Sequence, residues 1–165
     1  MCDYMGTEAA DFILGDTSKL RVVFIHAKTG SKNRPASAGA LQKVIGQATK
    51  NINFLGMFNE AIPDNLGRWD ESWKGKAELY VAKRIRQGPG SKEEAWKQIH
   101  SIIRHPLADH EVWLFMGQTL SKSKFEHLLS RTPPGAEALQ AAYLLFATLT
   151  NVASVGAKLR VFCYP

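Results

Sequence analysis

The sequence has few cysteines, no long apolar run and, over one long stretch, no acidic residue. Its two cysteines, Cys2 and Cys163, stand at opposite ends of the chain without a Cys-x-x-Cys spacing, which argues against a disulfide scaffold or a zinc knot. No segment approaches the ~20 apolar residues that span a bilayer, and the N-terminus lacks a basic-then-apolar signal segment. We therefore expect a reduced cytoplasmic protein that does not associate with membranes.

Length and composition predict one ordinary globular domain. The chain has 165 residues, of which 45% are hydrophobic and 22% charged, and these values are typical of folded proteins rather than of disordered chains or coiled coils. We find no internal repeat and no low-complexity tract. We expect residues 1–165 to fold as a single domain.

Charge is distributed unevenly along the chain, which has a formal net charge of +6. Between Thr17 and Asn59 there is no acidic residue, and the basic residues there are Lys19, Arg21, Lys28, Lys32, Arg34, Lys43 and Lys50. A positive field of this kind attracts polyanions such as nucleic acids. The alternative is a solvated basic face that serves solubility only.

Residues 9–28 predict a β-hairpin. Alternating apolar residues lead to the turn-forming segment 16–19, and residues 20–27 follow with many β-branched and aromatic side chains. Because this second strand is apolar on both faces in its middle, we expect it to be central in a covered sheet. A two-residue turn at 17–18 would place Asp11 opposite Phe24, with His26 as its diagonal neighbour.

The rest of the chain predicts helices and strands in an order typical of a mixed sheet. Apolar spacing, caps and breakers predict the following elements: helices over 36–55, 91–105, 121–129 and 135–155, strands over 111–116 and 159–164, and a short helix or strand over 76–85. A hairpin followed by helices that return to later strands implies an α/β fold, with a mixed central sheet flanked by helices on both faces.

Three polar residues converge at the far end of the hairpin. Alternation puts His26 and Lys28 on one face of the second strand, and Asp11 on the partner strand is within reach of both. Glu8, three residues before Asp11, is a further carboxylate that can reach the cluster. Each also has an ordinary interpretation: a turn-capping aspartate, a hydrogen-bonded histidine and a solvated lysine.

The pattern of these residues resembles a known family. Asp11-Phe12-Ile13, an apolar strand ending in His26-Ala27-Lys28, and a helix carrying Gln47 are similar to the core of the PD-(D/E)xK, or restriction-endonuclease-like, nucleases. The resemblance covers about residues 7–51. His26 departs from the pattern, because it stands where the family usually has an acid.

The resemblance implies a catalytic role for each residue. Asp11 would be the principal ligand of a divalent metal, Mg²⁺ or Mn²⁺, and His26 and Glu8 would be further ligands; imidazole suits Mn²⁺ better than Mg²⁺. His26 is alternatively a base on water. Lys28 would hold the attacking water or the scissile phosphate, and Gln47 would contact substrate or position Lys28.

Other basic and aromatic residues are candidates for nucleic-acid contact. The candidate phosphate ligands are Lys32, Arg34, Lys43, Lys50, Arg84 and Arg86. Arg84 and Arg86 would stand on one side of a strand, although a rim pair with Glu78 or Glu93 is an equal alternative. Trp69 and Trp73 either stack on bases or, for at least one of them, pack in the core.

We therefore expect a metal-dependent nuclease that hydrolyses DNA phosphodiester bonds. Two alternatives stay open: a catalytically inactive domain of the same fold that binds nucleic acid, and a protein-interaction module. The resemblance further implies a setting in bacterial restriction, repair or phage defence. The chain enters the hairpin without room for the helix that usually precedes this core, so we expect a terminal domain, the C-terminal one, of a longer protein.

Overall fold

The computed structural model describes residues 9–28, 38–75 and 79–165. In chain order, these residues form β1 (Phe12–Asp16), β2 (Arg21–Ala27), α1 (Ala38–Lys50), β3 (Trp73–Lys74), β4 (Tyr80–Val81), α2 (Lys92–Ile103), β5 (Asp109–Ser121), α3 (Lys122–Ser130), α4 (Ala136–Ser154) and β6 (Lys158–Tyr164). Two short 3₁₀ segments, Ile52–Leu55 and Leu66–Arg68, lie between α1 and β3.

A mixed four-stranded sheet is the centre of the fold, as the sequence predicts. Its strand order is β1-β2-β5-β6. β1 is antiparallel to β2, whereas β2, β5 and β6 run parallel to one another. The long connections between the parallel strands carry the helices, as parallel pairing requires. β3 and β4 form a separate two-stranded ribbon.

One face of the sheet holds the hydrophobic core. Val22 and Phe24 of β2 and Val112 and Leu114 of β5 point to this face and are at most 1% exposed. Helices α1, α2 and α4 contribute apolar residues to the same cluster; among them are Leu41, Val44, Ile99, Ile102, Ala141 and Val152. A single cluster that joins strands and helices in this way is the core of one domain.

The opposite face of the sheet is more open. Phe12, Leu14, Phe115 and Phe162 alternate with the core residues and are 45%, 37%, 37% and 38% exposed. The rings of Phe115 and Phe162 stack with centroids 4.4 Å apart. Among the described residues the mixed sheet is flanked by helices, as predicted, and apolar residues of α1, α2 and α4 belong to the same core cluster as Val22, Phe24, Val112 and Leu114.

The hairpin turn is longer than the sequence analysis assumed, and this changes the register. Asp16 pairs with Arg21, so the loop has four residues rather than two. One carboxylate oxygen of Asp16 accepts hydrogen bonds from the amides of Ser18 and Lys19, and Leu20 closes the turn with a positive φ of 46°. The two additional residues shift the pairing by two, which keeps every side chain on its predicted face.

Several helices agree with prediction, and the differences have local causes. The side chain of Ser91 accepts a hydrogen bond from the amide of Glu94, which confirms the predicted N-cap of α2. α1 ends at Lys50, earlier than predicted, and the apolar pattern continues into the 3₁₀ segment. Between 76 and 85, the described residues form only the two-residue strand β4. No helix of the described chain is long and apolar enough to cross a membrane.

Candidate functional site

The candidate site residues lie at the edge of the sheet where the parallel strands end. β2 ends there at Ala27 and antiparallel β1 begins there, whereas β5 continues beyond Phe115 to Ser121. Pairing of β1 with β2 begins at Phe12–Ile25, so Asp11 lies one residue before the paired strand. The observed register brings Asp11 nearer to His26 than the predicted register, in which Asp11 faces Phe24.

Asp11 is buried and its carboxylate is held by the backbone of β2. Asp11 is only 4% exposed. Oδ2 of Asp11 accepts a hydrogen bond of 2.6 Å from the amide N–H of Ala27. The carboxylate is thereby fixed next to the residue that follows His26.

His26 is a neutral imidazole at physiological pH. It is 2% exposed, and burial lowers its pKa from 6.5 to about 4. Removal from water disfavours the charged form, because an imidazolium loses more hydration than an imidazole. A ring with this pKa is a weak base, and its lone pair is free of a competing proton, which suits a metal ligand or a hydrogen-bond acceptor.

Lys28 continues the line of β2 beyond its last strand residue. Its amide donates a 2.8 Å hydrogen bond to the carbonyl of Phe115, so the parallel pairing with β5 extends to this position. Lys28 is half-buried. Alternation along the strand directs its side chain to the same face as His26, which is the side on which α1 packs.

The predicted metal ligands are only partly within the described structure. Asp11 and His26 both lie at the end of β2, whereas Glu8 lies outside the described residues. Within residues 9–28, 38–75 and 79–165, no group of three or more His, Cys, Asp or Glu side chains could hold a metal ion. The two neighbouring donors, a carboxylate and a neutral imidazole, are a ligand pair that suits Mn²⁺ better than Mg²⁺.

Helix α1 presents Gln47 to the outside. Its buried face consists of Leu41, Val44, Ile45 and Ala48, and Gln47 lies on the exposed face together with Lys43 and Lys50. Among the described residues, no hydrogen bond joins Gln47 to Lys28. Its predicted role in contacting substrate is compatible with this placement.

The remaining predicted nucleic-acid ligands fall into three groups. Lys32 and Arg34 lie outside the described residues. Arg86 is exposed and lines a cavity of about 340 Å³ together with Leu14 and Gln98. Arg84 is 1% exposed, and its Nε and Nη1 have no hydrogen-bond partner among the described residues. The prediction that both arginines stand on one side of a strand is therefore wrong: β4 ends at Val81, so strand alternation does not extend to these residues.

Trp69 is a core residue. It is 1% exposed, and its ring meets that of Trp96 edge-on with centroids 6.1 Å apart. Trp96 in turn stacks on His100 with a centroid separation of 5.8 Å. At least one of the two tryptophans therefore packs in the core, which is one of the predicted alternatives. Trp73 is half-buried in β3.

A second polar cluster lies on the opposite face of the sheet, and the sequence analysis did not find it. Glu111 is 3% exposed, and one of its oxygens accepts hydrogen bonds from Trp113 Nε1 and Arg160 Nε. Burial alone would raise the pKa of Glu111, but the bonds from Arg160 and Trp113 outweigh it and the pKa is lowered. The spacing of Glu111 and Trp113, two residues apart on one strand face, was the available signal.

We compared the chain with protein-family models, with curated proteins and with solved structures. Nothing in any of the three comparisons matches it. The functional argument therefore depends on the residues of the site.

Proposed function

We propose that the chain is a metal-dependent nuclease domain of restriction-endonuclease-like fold that hydrolyses DNA phosphodiester bonds. The observation that carries this proposal is the hydrogen bond from the Ala27 amide to the Asp11 carboxylate. It holds Asp11 at the end of β2, where His26 precedes Ala27 and the half-buried Lys28 follows it. Sites in sheets with parallel strands form at the carboxyl ends of those strands. The mixed sheet and the basic, acid-free segment 17–59 agree with this function.

The donor set fits a divalent cation that completes its coordination with substrate. Asp11 and His26 would hold the ion, and Mg²⁺ and similar ions commonly bind through one or two protein ligands plus substrate phosphates and waters. When bound, such an ion acts as a Lewis acid toward the phosphate, and it makes hydroxide available at neutral pH. His26 contributes a lone pair in this arrangement, because its low pKa keeps the ring neutral.

The chain's own residues have distinct tasks in this proposal. The bond from Ala27 N–H orients the Asp11 carboxylate, so no reorganisation is needed when substrate arrives. Lys28, a compact cation with three N–H donors, would stabilise the negative charge that grows on the phosphate or position the attacking water. The buried surroundings of Asp11 and His26 strengthen both interactions by lowering the local dielectric constant.

Cleavage assays on plasmid and linear DNA test this function. Wild type is expected to cleave in Mn²⁺, and more weakly in Mg²⁺, and to be inactive in EDTA. Asp11→Asn and Lys28→Ala should each reduce the rate at least about a hundredfold, the usual effect of removing an electrostatic catalytic group. Lys97→Ala on the exposed surface of α2 is the matched control and should cleave like wild type. Cleavage indifferent to both site variants would contradict the proposal.

A second candidate is a nuclease-fold domain that binds nucleic acid without cleaving it. His26 in place of the usual acid favours it, as does the absence of a third ligand from the described residues. In that case wild type binds DNA in a salt-dependent manner without turnover. His26→Glu would then increase the affinity for Mn²⁺, which isothermal titration calorimetry measures directly.

A further inference from the structure

The outer face of α1 is polar, cationic and free of acidic residues. Its exposed positions recur at intervals of three and four residues, so they share one side of the helix opposite the core. These positions are Gly39, Gln42, Lys43, Gly46, Gln47 and Lys50. Helix faces that only meet water usually mix both signs of charge, whereas this one has no carboxylate.

The two lysines on this face are available to a ligand. Neither Lys43 nor Lys50 forms an ion pair within the described chain. They are seven residues apart and therefore lie roughly 10 Å from each other along the helix. Gln47 lies between them on the same face, with an amide that can donate to phosphate oxygens.

Nothing among the described residues explains glycine at position 46. A Cβ atom at Gly46 would meet no atom of the described residues within 4 Å, and the same holds for Gly39. Neither glycine has a left-handed φ that would require it. Glycine is among the poorest helix formers, but it allows another molecule to approach the helix backbone closely. Gly46 leaves such a gap between Lys43 and Lys50.

We propose that this face of α1 binds the phosphate backbone of duplex DNA, with the phosphates approaching the helix backbone at Gly46. The inference rests on the proposed function and identifies how its substrate is held. Charge complementarity selects the occupant, because two unpaired lysines and two glutamines suit a polyanion with many acceptors. Contacts of this kind do not depend on base sequence. Gln47 then contacts substrate on this face rather than positioning Lys28.

Binding assays in EDTA test the lysines independently of cleavage. The affinity of a fluorescently labelled DNA duplex is measured by anisotropy over a range of salt concentrations. Lys43→Ala and Lys50→Ala should each weaken binding and lower the slope of log affinity against log salt by about 1. Lys97→Ala on α2 serves as the control and should leave the slope unchanged. If the slope is the same in all four proteins, the proposal is overturned.

Substitution of the glycine tests the close approach. Gly46→Gln should weaken duplex binding about tenfold, although the free helix is better formed with glutamine than with glycine. Gly67→Gln is the matched control, since a Cβ there also meets nothing within 4 Å. Circular dichroism and thermal unfolding check that both variants fold. Unchanged affinity in a folded Gly46→Gln protein would refute the close approach.

Two further arms separate the possible outcomes. A polyglutamate probe should bind at least tenfold more weakly than duplex DNA; equal affinity would mean that the face accepts any polyanion and would overturn the assignment to DNA. If the α1 variants bind normally while Asp11→Asn abolishes cleavage, this inference fails and the nuclease proposal stands. If binding depends on α1 and wild type never cleaves, the nuclease proposal fails and this inference stands.

Discussion

The Asp11 carboxylate accepts a hydrogen bond from the amide of Ala27, the residue that follows His26 at the end of β2. Asp11 and His26 are both almost entirely buried. A carboxylate and a neutral imidazole thus share one solvent-excluded end of the hairpin. This relationship leads to predictions about stability as well as about catalysis.

The bond from Ala27 to Asp11 predicts different effects for two substitutions. Asp11→Ala leaves a buried amide N–H without its acceptor and should cost about 1–3 kcal/mol of unfolding free energy. Asp11→Asn keeps an oxygen that can accept the same hydrogen bond. It should therefore cost less than about 1 kcal/mol of unfolding free energy. Urea denaturation in EDTA measures both values. Equal destabilisation by the two variants would show that the Ala27 bond does not contribute.

Burial of His26 predicts a loss of stability in acid. The folded-state pKa is about 4 against 6.5 for the unfolded chain, so the unfolded state binds the extra proton first as pH falls. The contribution of neutral His26 to the unfolding free energy is fully present above pH 6.5 and declines as pH falls toward 4. Below pH 4 it no longer changes, and the total loss is about 3 kcal/mol.

The comparison that isolates this effect is between wild type and His26→Gln. Urea unfolding in EDTA from pH 7 to pH 4 should show a shallower pH dependence for the variant. His110, whose pKa burial also lowers, is present in both proteins and cancels in the difference. Parallel curves for the two proteins would mean that His26 titrates normally in the fold.

The ion pair on the open face predicts an asymmetry between its partners. Arg160→Met leaves the buried Glu111 carboxylate without its cation and should lower the unfolding free energy more than Glu111→Gln does, although less than the loss of a fully buried pair because the Arg160 side chain is 55% exposed. Glu111→Gln leaves a solvated arginine behind and should cost about 1 kcal/mol or less. Thermal unfolding of the two variants measures the difference. A larger loss for Glu111→Gln would contradict this assignment of the buried charge.

The open space around Gly46 predicts a stabilising substitution. Gly46→Ala should raise the unfolding free energy by about 1 kcal/mol, because alanine is the better helix former and its methyl group meets no neighbour. Gly15→Ala is the contrasting case: its Cβ would lie 3.3 Å from Ile99 Cγ1 and 3.4 Å from Ile102 Cδ1. Chemical denaturation should therefore show a gain at position 46 and none at position 15.

Local interactions explain which parts of the fold the sequence could predict. The N-cap of α2 depends on Ser91 and Glu94, three residues apart, and the turn after β1 depends on Asp16 and the two amides at Ser18 and Lys19. The buried strand Arg21–Ala27 is apolar in its own sequence. Each of these signals is carried by neighbouring residues, so it can be recognised without knowing the rest of the chain.

The candidate site shows where local patterns stop being sufficient. Alternation placed Asp11 and His26 on one face, but the length of the turn decided the register, which differs by two residues from the predicted one. The arginines at 84 and 86 were predicted to share one side of a strand, whereas packing placed Arg84 in the interior. Turn conformation and packing depend on residues that the pattern does not contain.

The sequence by itself therefore determined the α/β class, the hairpin that carries Asp11 and His26, and the basic character of residues 17–59, because propensity, periodicity and charge are properties of short segments. Only the tertiary structure decided the strand order, the register of the hairpin and the pairing of Glu111 with Arg160, 49 residues away. These features arise when distant segments compete for the same buried surface and hydrogen-bond partners. The position of each side chain relative to the others follows from that competition.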